Sequence, residues 1–173
     1  SPYDAAITEA QEKLQQGDTA GAISLLRGAY EDSGKRHDIG MLFCQALIEG
    51  RRFDDAQVLL DGVRMVDQDA LYDQARAQLD LAREAARSPE LVALEERLAA
   101  EPDNLELREQ VAVLYSAAGQ YRDALESLMF ILRQDVGFKD GAAKKALLDT
   151  IASLGKGDPL AAEYQRKLFS LLY

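Results

Sequence analysis

The residue types that carry chemistry are scarce in this chain and stand apart from one another. His37 is the only histidine and Cys44 the only cysteine among 173 residues. A histidine general base works beside a nucleophile that it deprotonates, and no candidate nucleophile accompanies His37. We therefore interpret His37 as a solvated residue at the start of a helix. Cys44 is interpreted as a small buried residue rather than a redox thiol.

Two other patterns resemble ligand sites only faintly. The run Gly155-Lys156-Gly157-Asp158 lacks the spacing of a phosphate-binding loop and its Ser or Thr, so we interpret it as a hinge between helices. Acidic pairs such as Asp54-Asp55 are interpreted as solvated helix faces. No cluster of His, Cys and carboxylates has metal-ligand spacing. The sequence therefore predicts no catalytic residue, cofactor or metal, and a protein that is not an enzyme.

The composition and net charge make some classes of binding partner unexpected. The chain is 47% apolar and 29% charged, as folded proteins are, and its formal net charge is −10. Nucleic acids and anionic membrane surfaces attract clustered Lys and Arg, so neither is expected as a partner. No stretch predicts a signal peptide or reaches the roughly 18 apolar residues of a membrane span. A single cysteine fits a reducing compartment.

A repeat organises the chain. The segments at 17–22, 53–56 and 119–126 share one sequence pattern, and their alanines at 22, 56 and 124 are separated by 34 and 68 residues. These segments resemble the turn and second-helix start of the tetratricopeptide repeat (TPR), whose period is 34 residues. Four frames follow, at 3–36, 37–70, 71–104 and 105–138, with two C-terminal helices in 139–173. The expected fold is all-α: a single TPR-like superhelix of helical hairpins over 1–173.

The resemblance assigns packing roles to frame positions. Small residues are expected at positions 8 and 20, where the two helices of a hairpin approach most closely. Position 24 is Leu26, Leu60, Leu94 and Leu128, and position 11 includes Leu47, Leu81 and Tyr115. Large residues at these two positions are expected to fill the space towards the next repeat. The third frame is degenerate, because Gln78 and Glu90 occupy its two small positions.

Helix boundaries can also be predicted in the C-terminal half of the chain, where the repeat pattern is weaker. Ser88 is expected to cap a helix that begins at Pro89. After the fourth frame, one helix is expected over 140–153, and Asp158 is expected to cap a last helix over 159–172.

In TPR arrays, positions 2, 5, 9 and 12 of the first helices line a concave groove. The candidate client-binding residues at these positions are Ile7, Leu14, Met41, Ile48, Tyr72, Leu79 and Val113. The same groove positions also hold the acidic residues Asp4, Asp38, Glu106 and Glu109. A groove of mixed apolar and acidic character would suit apolar or basic segments of a partner. The alternative is that the curvature of the array covers these side chains.

A second resemblance is concentrated at the C-terminus. Residues 154–161 (LGKGDPLA) and 164–173 (YQRKLFSLLY), with matches at 101–104, 124–126 and 132–135, resemble the bacterial chaperedoxins of YbbN/CnoX type. In that family a thioredoxin-like domain precedes a TPR domain, so this chain corresponds to the second half and any redox chemistry would belong to the upstream domain. The resemblance implies a cytoplasmic holdase and co-chaperone. Its implied partners are unfolded client proteins, the chaperonin and its own thioredoxin-like domain.

The resemblance also implies docking through the terminal helix. The candidate docking residues are Tyr164, Arg166, Lys167, Leu168, Phe169, Leu171, Leu172 and Tyr173. Helical spacing allows Tyr164, Leu168 and Leu171 to cap the core instead, so capping and docking remain alternatives for this helix. The alternative for the whole chain is a generic bacterial TPR scaffold whose last helix is purely structural.

Overall fold

The computed structural model describes residues 1–173 and contains ten α-helices and no strand. The helices are α1 (Asp4–Gln15), α2 (Thr19–Asp32), α3 (His37–Glu49), α4 (Phe53–Asp61), α5 (Ala70–Ala86), α6 (Pro89–Ala100), α7 (Leu105–Ala117), α8 (Tyr121–Gln134), α9 (Ala142–Ser153) and α10 (Pro159–Leu172). Short 3₁₀ turns occur at Met65–Asp67 and Phe138–Gly141. The predicted all-α class is confirmed. None of the helices combines the length and the apolar character that crossing a bilayer requires.

The 34-residue frames predict the helix starts well. α1, α3, α5 and α7 begin within one residue of the four frame starts. The small residues behave as expected in three frames: Ala22, Ala56 and Ala124 have no exposed surface, which lets the paired helices approach closely. The leucines at position 24 are all buried, with at most 8% of their surface exposed.

The third frame departs from the others in the face that its first helix buries. α5 buries Tyr72, Ala75 and Leu79, which three- and four-residue spacing places on one stripe. Gln78 is exposed, and Leu81 is 68% exposed, so the predicted packing role of Leu81 is wrong. The physical reason is the amide of Gln78, because burying it without hydrogen-bond partners is unfavourable. An apolar stripe that lies on another face of α5 packs instead.

The chain divides into two compact units, residues 1–84 and 85–173, and the division falls within the degenerate third frame. In the first unit α1, α2, α3 and α4 pack in sequence. α5 is joined to α4 by ion pairs from Arg76 to Asp61 at 2.6 Å and from Arg83 to Asp54 at 3.2 Å. The single domain over 1–173 stays a prediction.

In the second unit α6, α7, α8, α9 and α10 also pack in sequence, and α10 additionally contacts α8. The cap of α6 is confirmed, since the Ser88 hydroxyl accepts a hydrogen bond from the Leu91 amide. The bounds of α10 are confirmed too, and the Asp158 carboxylate accepts the Ala161 amide at 2.8 Å.

The predicted helix over 140–153 begins later than expected, at Ala142. Lys139, Asp140 and Gly141 all have positive φ, with values of 44°, 55° and 88°. This left-handed turn interrupts the helix, and the lack of a side chain at Gly141 makes such a conformation accessible there.

Candidate functional site

The inner face of α10 belongs to the core of the second unit. Tyr164 has no exposed surface and Leu168 is 6% exposed, both within a cluster that includes residues of α8 and α9. Leu171 and Leu172 are half-buried against the same cluster. Tyr164 and Leu168, which were candidate docking residues, are therefore core residues. A partner cannot reach either of them while α10 stays packed.

The outer face of α10 carries the remaining candidates. Phe169 is 65% exposed and Tyr173 is 89% exposed. Phe169 is in the last turn of α10 and Tyr173 follows its last residue, and the centroids of their rings lie 5.0 Å from each other. Arg166 is exposed on the neighbouring turn. The two aromatic rings and this guanidinium form one accessible surface.

A polar network joins α10 to α8. The Tyr164 hydroxyl donates a hydrogen bond to Glu126. Lys167 Nζ lies 3.3 Å from Glu126 Oε1 and 3.1 Å from Glu163 Oε2. Arg122 binds both oxygens of Glu163, at 2.7 Å and 3.2 Å. Because Arg122 and Glu126 belong to α8, the network holds the orientation of α10 about its own axis.

The network shifts the pKa values of its members. Hydrogen bonds from Arg122 and Lys167 lower the pKa of Glu163 to about 2. The bond from Tyr164 is the main cause of a lowered pKa at Glu126. Burial, followed by the bond to Glu126, raises the pKa of Tyr164 to about 12. The carboxylates are therefore ionised, and the phenol neutral, at neutral pH.

We expect acid to weaken the attachment of α10. The pKa of Glu163 lies below its ordinary value of 4.5, so its contribution is complete above about pH 4.5 and is lost as the pH falls towards about 2. Urea unfolding of the wild type should show a decrease in stability across this interval, and Glu163→Gln should show a smaller one. Glu96→Gln, at an exposed carboxylate of α6, is the control and should leave the decrease unchanged. An equal decrease in wild type and Glu163→Gln would contradict this role of Glu163.

A shallow groove of about 430 Å³ lies between α8 and α10. We call it the α8–α10 groove, and its lining residues are Met129, Arg133, Glu163, Arg166, Lys167, Ser170 and Leu171. The five α10 members share one stripe, since they are spaced by one, three or four residues. Three of them, Arg166, Lys167 and Leu171, were predicted as docking residues, whereas Glu163 and Ser170 were not. The Glu163 to Lys167 spacing of four residues was the available signal for the ion pair.

The first unit has a groove of its own, of about 550 Å³, between α3 and α5. We call it the α3–α5 groove, and its lining residues are Asp38, Met41, Leu42, Gln45, Ile48, Glu49, Leu71, Gln74, Ala75 and Gln78. All four groove positions predicted in the second frame, including the candidates Met41 and Ile48, line this groove. The predictions missed Leu42 and Leu71, which lie outside the predicted positions.

The other groove candidates lie elsewhere. Tyr72 is 9% and Leu79 is 1% exposed, so both are core residues of the first unit. These two positions of α5 were expected to face a client, but they face the core instead. Ile7 and Leu14 are half-buried on α1 and do not line the α3–α5 groove. Val113 is 67% exposed on α7 in the second unit. Among the candidates of the first unit, only Met41 and Ile48 line the α3–α5 groove.

The residues whose side chains could take part in catalysis or metal binding lie in packed or hydrogen-bonded positions. Cys44 has no exposed surface, and burial raises the pKa of its thiol to about 11, so the thiol stays protonated and unreactive at neutral pH. His37 Nε2 lies 3.1 Å from Asp69 Oδ2 at the start of α3. No group of three or more His, Cys, Asp or Glu side chains is arranged to hold a metal ion.

Comparison with known proteins identifies the repeats. Sequence profiles of the tetratricopeptide repeat match residues 13–79 and residues 84–173. The chain belongs to the TPR family. Together with the buried small residues of the hairpins, this makes it a module of a type that binds other proteins.

Two relatives of this TPR protein extend over almost its full length. An uncharacterized protein of Haemophilus influenzae is 32% identical over 171 residues, which are 98% of this chain and 78% of that protein. The crystal structure of a domain of a Vibrio parahaemolyticus protein of unknown function is 38% identical, with a TM-score of 0.81. That similarity covers 97% of this chain and 98% of the Vibrio domain. The fold is therefore similar to that of an experimentally determined structure.

Proposed function

We propose that this TPR protein is the protein-binding part of a thioredoxin-like co-chaperone in the cytoplasm. It holds unfolded client proteins by non-covalent binding and passes them to the chaperonin through the outer face of α10. Redox chemistry belongs to the thioredoxin-like domain, which is a further partner of this chain. The proposal is supported by the C-terminal resemblance and by the surface of α10.

The aromatic pair on α10 is the observation that carries the proposal. A helix that only caps a core needs its inner apolar residues, which here are Tyr164 and Leu168. Phe169 and Tyr173 add a large apolar surface to the outer side, where capping gives no reason for it. The Glu126 and Glu163 network fixes the helix that displays them, so little conformational entropy is lost on docking.

The α3–α5 groove supports client binding. Leu42, Ile48 and Leu71 offer apolar contacts, while Asp38 and Glu49 add negative charge. Residues 1–84 carry 16 Asp and Glu against 9 Lys and Arg, so segments that combine apolar and basic side chains fit best. Unfolded chains expose many such segments, which suits a holdase.

We expect the double substitution Phe169→Ala/Tyr173→Ala to weaken chaperonin capture by about tenfold or more, because exposed aromatic anchors carry much of the energy of protein interfaces. Purified chaperonin and immobilised TPR protein are the components of the assay. Point substitutions are better than removal of α10, because that removal would expose the core around Tyr164. Circular dichroism should show unchanged helix content.

The matched control is Val136→Ala/Leu148→Ala, which truncates side chains of the same unit that are 50% and 44% exposed. It should capture chaperonin as the wild type does. The docking proposal fails if the wild type captures no chaperonin, or if the aromatic variant captures it equally well.

A second candidate is a TPR scaffold for another bacterial assembly, favoured by the burial of Tyr164 and Leu168 as in a structural cap. The two functions differ in client handling. A holdase suppresses aggregation of a chemically denatured enzyme without ATP, whereas a scaffold binds one defined partner and does not suppress it. Light scattering during dilution of the denatured enzyme separates them.

A further inference from the structure

We propose that the α8–α10 groove is a docking site for an acidic segment of a partner protein, with an apolar side chain beside its carboxylates. The partner's identity rests on the docking role proposed above. The chemistry of the segment is inferred independently from the charges and the floor of the groove.

The groove has a surplus of positive charge on an acidic chain. Its lining includes Arg133, Arg166 and Lys167 but only one carboxylate, Glu163. Arg122 already binds Glu163, and Lys167 is shared by Glu163 and Glu126. The whole chain has a net charge of −10, so this local surplus differs from its surroundings.

Two guanidinium groups of the groove are open to a further anion. Arg133 lies 3.8 Å from Glu126, which is a long ion pair. Arg166 is exposed and forms no ion pair. Guanidinium groups bind carboxylates through paired hydrogen bonds. Arg133 and Arg166 can therefore bind an acidic side chain of a partner protein.

The floor of the groove is apolar. Met129 is 1% exposed, and Leu171 is half-buried beside it. An apolar side chain next to the carboxylate would cover Leu171, which an inorganic anion could not do. Arg166 also lies one turn before Phe169, whose ring contacts that of Tyr173, so the groove and the aromatic pair form one continuous surface for the same partner.

The probe is the peptide acetyl-Leu-Glu-Glu-Leu-amide, compared with acetyl-Leu-Gln-Gln-Leu-amide. NMR titration of the full chain at low salt should show shifts at Arg133, Arg166, Ser170 and Leu171 with the Glu peptide. Arg166→Glu should weaken its binding by about tenfold. Raising NaCl from about 0.02 M to about 0.5 M should weaken it as well, because salt screens exposed charges.

The matched control is Arg97→Glu, which makes the same change of charge at an exposed residue of α6 in the same unit. It should leave binding of the Glu peptide unchanged. Equal affinity for the Gln peptide, or equal affinity in Arg166→Glu, would overturn the proposal. Shifts as large with inorganic phosphate as with the Glu peptide would also overturn it, since the groove would then be a small-anion site.

Failure of this inference can be told apart from failure of the proposed function. If Arg166→Glu captures chaperonin normally while the aromatic variant does not, the co-chaperone function stands and the acidic partner segment is wrong. If the Glu peptide binds in an Arg166-dependent way while wild type captures no chaperonin, the acidic docking site stands and the co-chaperone function is wrong.

Discussion

Tyr164→Ala is expected to lower the free energy of unfolding by about 3–5 kcal/mol, the cost typical of truncating a large buried aromatic side chain. Tyr164 is fully buried in the core of the second unit and is among the largest side chains there. The substitution removes its packing and also leaves Glu126 without one hydrogen-bond donor. Urea unfolding followed by circular dichroism measures the loss.

Two variants sharpen this test. Tyr173→Ala makes the same change directly after the end of the same helix, at an 89% exposed position, so it should change stability by no more than about 0.5 kcal/mol. Tyr164→Phe keeps the ring and removes only the hydroxyl, so it should cost about 1.5 kcal/mol. Equal effects of Tyr164→Ala and Tyr173→Ala would show that α10 does not pack on the core in solution.

Ala124→Leu is expected to destabilise the fold by about 1–3 kcal/mol through overpacking. Ala124 is fully buried at the second small position of the fourth repeat, where α7 and α8 approach each other. A leucine there must force the two helices apart or adopt a strained rotamer. Thermal and urea unfolding should both show the loss.

The control for overpacking is Ala93→Leu, the same substitution at an exposed position of α6. Alanine and leucine have similar helix propensities, so a change within about 0.5 kcal/mol is expected there. A thermal melt of Ala124→Leu that matches the wild type would contradict the assigned repeat register.

The repeat and its hairpins follow from the sequence because they depend on local spacing. Small residues such as Ala22, Ala56 and Ala124 recur with the period of the fold, and each is buried as the pattern predicts. The bounds of α10 could also be predicted from the sequence, since Asp158 is a favourable N-cap residue and Pro159 is favourable at the first helical position. Signals of this kind need no knowledge of distant parts of the chain.

The face that a helix buries was less predictable where the pattern weakens. Gln78 marks the third repeat as unusual, but it does not say which other stripe of α5 packs inward. The structure decides that Tyr72 and Leu79 are buried while Leu81 is exposed. This choice depends on the shape offered by the neighbouring helices, and apolar residues occur on more than one side of α5.

For α10, too, one part of the outcome follows from the sequence and another only from the tertiary structure. Its apolar residues are evident in the sequence, and helical spacing already separates Tyr164 and Leu168 from Phe169 and Tyr173. Only the tertiary structure brings Glu126 and Arg122 of α8 to Glu163 and Lys167, across about forty residues of chain. Local spacing determines helices and their stripes, whereas long-range packing decides which stripe is buried, which charges are neutralised and which guanidinium groups remain exposed.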